Sequence, residues 1–395
     1  MSFPYNRPSI TPHPDPQERH PMNASLNRRQ LFQLGAAAAA GAALRRVSAH
    51  PITAQPASQP ASNEPVRLQS NENPYGPSRA ARQAMEAAFD EGCRYPARHY
   101  HVLAEMIADR EGLTPDHVVP GAGSHEVLQM AAMAYGLPSG EMISGWPTYE
   151  AMGRYMASIN AHVHRVPLDD ELQIDLDAIG KRLTQAIRLI FICNPNNPTG
   201  RILPGRTLES YCTAMSARHI VFSDEAYHEY VDDPEYRSMI GLVKRDLNVI
   251  VSRTFSKVHG LAGLRIGYGL ARPDIAERLR RFQSGSSINI LGLRAAIASY
   301  QDDSFVEFSR EKNAEARELT CERLIAMGHR CLPSQANFVF FRTGRPIERF
   351  REAMLRRGFS VGRPFPPYRD WCRLSIGTPD QMRAFMTAFE AEMGA

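Results

Sequence analysis

Lys257 closes the run Ser252-Arg253-Thr254-Phe255-Ser256-Lys257, and an arginine follows eight residues later at Arg265. Two polar clusters precede it, Asp224-Glu225-Ala226-Tyr227 and Cys193-Asn194-Pro195-Asn196-Asn197-Pro198-Thr199-Gly200. Together these supply an amine, a carboxylate, amide and phenol donors, and two hydroxyls beside a forked guanidinium. That is the set needed to hold a phosphorylated pyridine aldehyde, pyridoxal 5′-phosphate (PLP). Lys257 is the amine that would condense with the aldehyde and, once displaced by substrate, carry a proton. Asp224 would keep the pyridine nitrogen protonated through a charge-assisted hydrogen bond, although an aspartate here also suits a helix N-cap. Asn197 and Tyr227 can donate to the cofactor's phenolate oxygen. Thr254, Ser256 and Arg265 can ring its phosphate.

These residues need strands to aim them. Arg188-Leu189-Ile190-Phe191-Ile192-Cys193, His219-Ile220-Val221-Phe222-Ser223 and Asn248-Val249-Ile250-Val251 read as buried strands, each ending at one of the motifs. In an open α/β sheet the carboxyl ends of the strands form the ligand crevice, so the three motifs point into one site. Upstream, His117-Val118-Val119 reads as a strand, Pro120-Gly121-Ala122-Gly123 as a tight turn, and Ser124 to Tyr135 as a helix capped by Ser124. The backbone N–H groups of Ser124 and His125 would then face an anion. Helices are expected from Ser78 to Phe89 and from Pro96 to Glu111. Short apolar strands alternate with helical patterns to about Ala271, the signature of a mostly parallel sheet. The last part, with Asn337-Phe338-Val339-Phe340-Phe341 and Cys372-Arg373-Leu374-Ser375-Ile376 as strands, reads as a smaller α/β domain.

From about Val66 to Gly394 the chain resembles the fold-type I, class I/II PLP-dependent aminotransferases, and most closely the histidinol-phosphate aminotransferase group. The matching stretches are Asn71 to Ser78, Arg94-Tyr95-Pro96, Gly121 to Glu126, Pro147-Thr148-Tyr149, Asn194 to Gly200, Asp224 to Tyr227, Ser252 to Lys257 with Arg265, Ala336-Asn337-Phe338, and Arg373 to Thr378. The resemblance implies that Gly123, Ser124 and His125 line the phosphate side, that Tyr149 stacks on the cofactor ring, and that Tyr95 reaches the cofactor phosphate of a neighbouring subunit in a homodimer. It implies that Arg373 pairs with the substrate carboxylate or an equivalent anion, with Asn337, Asn73, Tyr75 and Arg363 on the substrate side. Two departures stand out. His125 occupies a position where the family often has aspartate, and Gly362 to Trp371 is rich in proline and aromatics where relatives carry a glycine-containing loop.

The expected architecture is a lead over residues 66–92 that joins the small domain, a large PLP-binding domain over 93–310, and a small domain over 311–395. Residues 1–49 are read as an export signal and 50–65 as a linker rich in Pro, Ala, Ser and Gln. Asn27-Arg28-Arg29-Gln30-Leu31-Phe32 leads into an alanine-rich run ending at Leu44, too short to span a bilayer, with small-residue cleavage sites at Val47-Ser48-Ala49 or Ile52-Thr53-Ala54. This resembles a twin-arginine signal, which exports proteins already folded and would place the protein in the periplasm or outside the cell; the alternative is a cytoplasmic protein with a tail. A start at Met22 would give that signal a normal short basic segment. An exported enzyme would act on an extracellular amino acid, or on a cell-envelope or secondary metabolite.

Net charge is only +4, and no basic block interleaved with aromatics lies outside the first fifty residues, which argues against nucleic-acid binding. The six cysteines make no C-x-x-C pair, so buried free thiols are expected rather than a zinc site or a disulfide frame. No stable membrane anchor and no metal are expected. The reading is an aminotransferase moving an amino group between an amino acid, or an amino-alcohol phosphate such as histidinol phosphate, and a 2-oxo acid by a ping-pong mechanism. A PLP lyase resembling threonine-phosphate decarboxylase shares these motifs, and a non-catalytic PLP-binding protein is the third possibility.

Overall fold

The computed structural model describes residues 64–394. The residues read as an export signal, the cleavage sites expected there, Met22 and most of the expected linker lie outside the described residues. Eleven strands occur among those described: β1 (Val66–Leu68), β2 (Val118–Gly121), β3 (Glu141–Trp146), β4 (Val163–Pro167), β5 (Ile187–Cys193), β6 (Ile220–Asp224), β7 (Val249–Thr254), β8 (Gly267–Leu270), β9 (Phe338–Arg342), β10 (Phe359–Val361) and β11 (Trp371–Ser375).

Seven of them form the main sheet in the order β2-β8-β7-β6-β5-β3-β4. All neighbours run parallel except β8, which is antiparallel to both β2 and β7. The central strands are β-branched and apolar because both faces are covered. In β5, Leu189, Phe191 and Cys193 enter one apolar cluster while Ile190 and Ile192 enter the other. In β7, Ile250 faces one side and Val249 and Val251 the other. Such strands carry no polar face, which is why the polar residues gather where the strands stop. The register sets Cys193 opposite Asp224 and Asp224 opposite Ser252, forming one polar row along the carboxyl edge.

A second body of structure surrounds β9, β10 and β11. β9 and β11 pair antiparallel, with Arg373 opposite Phe340. β1 joins β10 in parallel, Val66 opposite Phe359, so the first described strand is seated on the C-terminal part of the chain. A cluster of Phe341, Phe350, Phe385 and Phe389 fills this region. The helix Asp303–Ala326 is continuous through the boundary expected between residues 310 and 311, so the two parts share an element.

Most expected elements shift by one to three residues. Ser78 caps a helix that covers Arg79–Glu86, its hydroxyl accepting from Ala81 N–H, and a 3-10 turn follows over Phe89–Cys93. β7 extends three residues beyond Val251 to Thr254, because pairing with β8 continues past the apolar run. Ser124 is not the N-cap. It is the first residue of the helix Ser124–Gly136, and Gly123 precedes it with φ 74° and no side-chain cap. All six cysteines are free, but only Cys193, Cys212 and Cys372 are buried; Cys93 is exposed, and Cys321 and Cys331 are half-buried. No helix among the described residues is long and apolar enough to cross a membrane.

Candidate active site

At the carboxyl edge of β5, β6 and β7 lies a cavity of about 560 Å³. Its walls include Asn197, Asp224, Tyr227, Thr254, Ser256, Lys257, Arg265, Ser124, His125 and Tyr149. The three strand-end motifs therefore do converge, from positions up to sixty residues apart in the chain.

Asp224 is buried, and its Oδ1 accepts from the Ser252 hydroxyl at 3.0 Å. Burial raises its pKa to about 6, against the lowering pull of that hydroxyl, the Ala226 N–H and Lys257. An acid that is half-ionised near pH 6, with a cationic partner still to come, is suited to a protonated pyridine nitrogen. Behind it, the buried Arg253 joins Glu111 at 2.7 Å and Glu225 at 3.3 Å, bracing the ends of β6 and β7.

Lys257 Nζ donates to the carbonyl of Asn71 at 3.0 Å and lies 3.5 Å from that of Ser70. Burial, followed by the charge of Arg373, lowers its pKa to about 8. A lysine poised there is neutral in a useful fraction and can act both as a nucleophile and as a base. The Tyr227 hydroxyl accepts from Asn71 Nδ2 at 3.0 Å and from Asn197 Nδ2 at 3.3 Å. With both lone pairs engaged, its own proton remains for an acceptor inside the cavity.

One end of the cavity combines side chains with the start of a helix. Arg265 Nη1 donates to Ser256 Oγ at 3.2 Å, and Ser256 N–H donates to Thr254 Oγ1 at 3.1 Å. A Cβ on Gly123 would stand 2.3 Å from Arg265 Nη2, and one on Gly267 would stand 2.4 Å from the backbone nitrogen of Ser124. Only glycine permits this approach, and it leaves the first N–H groups of the helix Ser124–Gly136 open to an anion. Glu126 fixes the turn by accepting from Ala122 N–H at 2.6 Å and from the Ser287 hydroxyl at 2.6 Å. His125 Nε2 bonds the Tyr149 hydroxyl. Burial, then Arg265, holds that imidazole below its usual pKa.

Arg373 reaches the cavity from β11. Its Nη1 donates to Asn197 Oδ1 at 2.9 Å and its Nη2 to the Gln69 carbonyl at 2.6 Å, while Nε is buried without a partner. Arg363 lines the mouth, paired with Glu150 at 2.9 Å and lying over Phe365. Neither Asn73, Tyr75 nor Asn337 lines the cavity. Asn73 Nδ2 donates to the Val258 carbonyl and Ser309 Oγ, Tyr75 packs edge-on against Phe308, and Asn337 Nδ2 donates to the Glu72 carbonyl. These three support the wall from behind. Tyr95 is 87% exposed and does not face the cavity of its own chain.

Two more wall residues, neither with a role assigned from sequence, shape the cavity. Asn71, at φ 54°, is a hub: its carbonyl holds Lys257, its amide donates to Tyr227, and its side-chain oxygen accepts from Ser375. Arg351, on the helix Ile347–Arg356, lines the mouth as well. The ion pairs nearby take Arg345 and Arg357 to Glu392 and Arg363 to Glu150, and leave Arg351 without a carboxylate partner among the described residues. Asn71 lay inside a motif visible in the sequence, whereas nothing local to Arg351 signals its place.

An amine, a buried acid and a helix-terminal anion cradle in one cavity define a phosphorylated-cofactor enzyme acting on amino compounds. The model of the family "aminotransferase class I and II" matches residues 63–389, and the chain belongs to that family. It is a PLP-dependent aminotransferase of fold type I. Histidinol-phosphate aminotransferase 1 of Cupriavidus pinatubonensis is 36% identical over 330 residues, covering 82% of this chain and 87% of that protein. The histidinol-phosphate aminotransferase of Sinorhizobium meliloti, solved in complex with PLP, superposes with a TM-score of 0.77 at 24% identity, over 84% of this chain and 92% of that one. L-threonine-O-3-phosphate decarboxylase of Porphyromonas gingivalis shares the fold, with a TM-score of 0.74 at 19% identity, over 84% of this chain and all of that one. The cavity fits PLP on its own geometry: a cradle that a Cβ would fill, a free phenol proton, and a buried carboxyl with its pKa raised.

Proposed function

We propose that this aminotransferase takes an amino group from an amino acid, or from an amino-alcohol phosphate of the histidinol-phosphate type, and delivers it to a 2-oxo acid in two half-reactions. The observation that carries this reading is the guanidinium of Arg373, half-buried in the cavity wall with one N–H unpartnered and no carboxylate within ion-pair reach among the described residues. Such a group calls for an anion. A carboxylate, or the phosphate of an amino-alcohol phosphate, completes it, and Arg351 and Arg363 at the mouth suit a second acidic group.

PLP, when bound, supplies the electron sink for the bond broken at the amino-bearing carbon. Asp224 would hold the pyridine nitrogen protonated, and Asn197 and Tyr227 would hold the phenolate oxygen. Ser124, His125, Thr254, Ser256 and Arg265 would hold the phosphate, and Tyr149 would support the ring. Lys257 Nζ would take the proton from the amino-bearing carbon and pass it to the cofactor within the same half-reaction, and would move a proton in the opposite direction when the 2-oxo acid is bound. The test is a half-reaction with single donors, including histidinol phosphate and aromatic amino acids, followed by absorbance with carbon dioxide measured in parallel. Amino transfer without carbon dioxide is expected. Carbon dioxide in step with turnover would replace this reading with the lyase.

The relatives' histidinol phosphate is one donor to try first, and an aromatic amino acid is the other. The Arg28-Arg29 signal supports export, and an exported enzyme favours the amino acid; replacing both arginines with lysine should hold the protein in the cytoplasm, as fractionation would show. The active unit is proposed to be a homodimer. Tyr95 and Phe89, at 87% and 65% exposure, leave aromatic surface that a partner subunit would cover.

A further inference from the structure

Away from the cavity, two of the six cysteines meet. Cys321 lies in the last turns of the helix Asp303–Ala326, and Cys331 follows the turn at Gly328. Their sulfurs are 3.3 Å apart, closer than non-bonded sulfurs ordinarily approach, with the Cys331 thiol donating to Cys321. Both side chains are half-buried beside a cluster that includes Leu324, Phe341 and Phe389, so neither can swing far from the other. That hydrogen bond, with Arg317 one turn away, lowers the Cys321 pKa, while the same bond, then burial, raises that of Cys331. Thiol–disulfide exchange needs this asymmetry: one sulfur to attack and one to resolve.

We infer that Cys321 and Cys331 form an oxidisable pair that closes to an intramolecular disulfide, clasping the long helix to the strand layer that carries Arg373. The clasp would lie behind the cavity wall, since neither sulfur lines the cavity. Cys331 bridges Phe341 of β9, and Phe341 lies opposite Cys372 of β11, the neighbour of Arg373. The oxidant is a disulfide, either glutathione-type or on a thiol oxidoreductase. The Cys321 thiolate attacks one of its sulfurs, breaking that S–S bond and releasing one thiol. Cys331 then loses its proton, attacks Cys321 Sγ and releases the second thiol. Two protons and two electrons leave the pair, and the oxidant ends as two thiols.

The full-length holoenzyme would be equilibrated across ratios of oxidised to reduced glutathione, alkylated, and mapped by mass spectrometry. The expected result is a peptide joining residues 321 and 331 that is lighter by two hydrogens, absent in Cys321→Ser and in Cys331→Ser. The thermal midpoint of oxidised wild type should lie a few degrees above that of the reduced form, whereas the double serine variant should ignore the redox buffer. Steady-state kcat/KM should match in both forms. Two alkylatable thiols at positions 321 and 331 under fully oxidising buffer would overturn the inference, as would pairing with another cysteine. Closure in vitro with reduced thiols in cells would leave the pair standing and count against export instead.

Discussion

Asp224 is where stability and function pull apart. With its pKa raised from 3.8 to about 6, the cofactor-free fold binds a proton that the unfolded chain has already released. The contribution is therefore fully present below the unfolded pKa and lost as pH rises through about 6. By neutral pH the buried carboxylate costs on the order of 3 kcal/mol. Asp224→Asn should raise the melting temperature of the cofactor-free protein at pH 8 by a few degrees, flatten its pH dependence between 4 and 6, and cut kcat by about 10³-fold or more. Calorimetry and steady-state assays check both halves. Arg373→Ala should raise KM for carboxylate substrates by about 100-fold, with Arg373→Lys recovering only part because a point charge cannot replace the fork. Arg351→Ala should raise KM for a phosphate-bearing donor by about tenfold and leave short amino acids unaffected, a split that a general loss of folding would not produce. Residues whose type declares their chemistry, such as Lys257 and Asp224, were legible in the sequence. Arg351 was not, since an arginine on an amphipathic helix reads as a solvated group until the fold sets it at the mouth of a cavity.

The elements that aim these groups divide in the same way. β5, β6 and β7 were legible because fully buried parallel strands need unbroken apolar runs, and the polar residues that end each run mark the crevice. The turn before Ser124 was half legible. Its glycines signalled a tight bend, but the reason for Gly123 lies in Arg265, which is 142 residues away in the chain and fills the space of a missing Cβ. Gly123→Ala should weaken PLP binding by about tenfold or more and destabilise the protein by about 1–3 kcal/mol. Gly267→Ala should be the more damaging, since the Cβ would meet a backbone nitrogen that cannot move aside as a guanidinium can. Cofactor titration by absorbance, with thermal unfolding on the same samples, separates the two effects. Asn73, Tyr75 and Asn337 mark the limit of motif reading: they sit in stretches shared with relatives, yet their side chains tie wall segments together instead of facing the cavity.

At the scale of the whole molecule, a proposed shared site makes a prediction that no single chain can satisfy. If Tyr95 serves the partner's cofactor, Lys257→Ala and Tyr95→Ala proteins should each be impaired alone, and refolding them together should restore up to about a quarter of wild-type activity through mixed dimers. Unmixed samples give the baseline, and light scattering gives the stoichiometry. A different consequence follows from the seat of β1. The carbonyl that holds Lys257 belongs to Asn71, whose backbone N–H is anchored by Ser375, 304 residues further along. During synthesis the lysine, the acid and the phosphate cradle emerge and can fold around the main sheet long before that anchor exists. The substrate side of the pocket can be assembled only once the ribosome has delivered the last strand. The enzyme is thus expected to mature late: chains stalled or clipped before Ser375 should lack the clasp over Lys257, so that cofactor loading and catalytic competence would be acquired at different moments in the life of the chain.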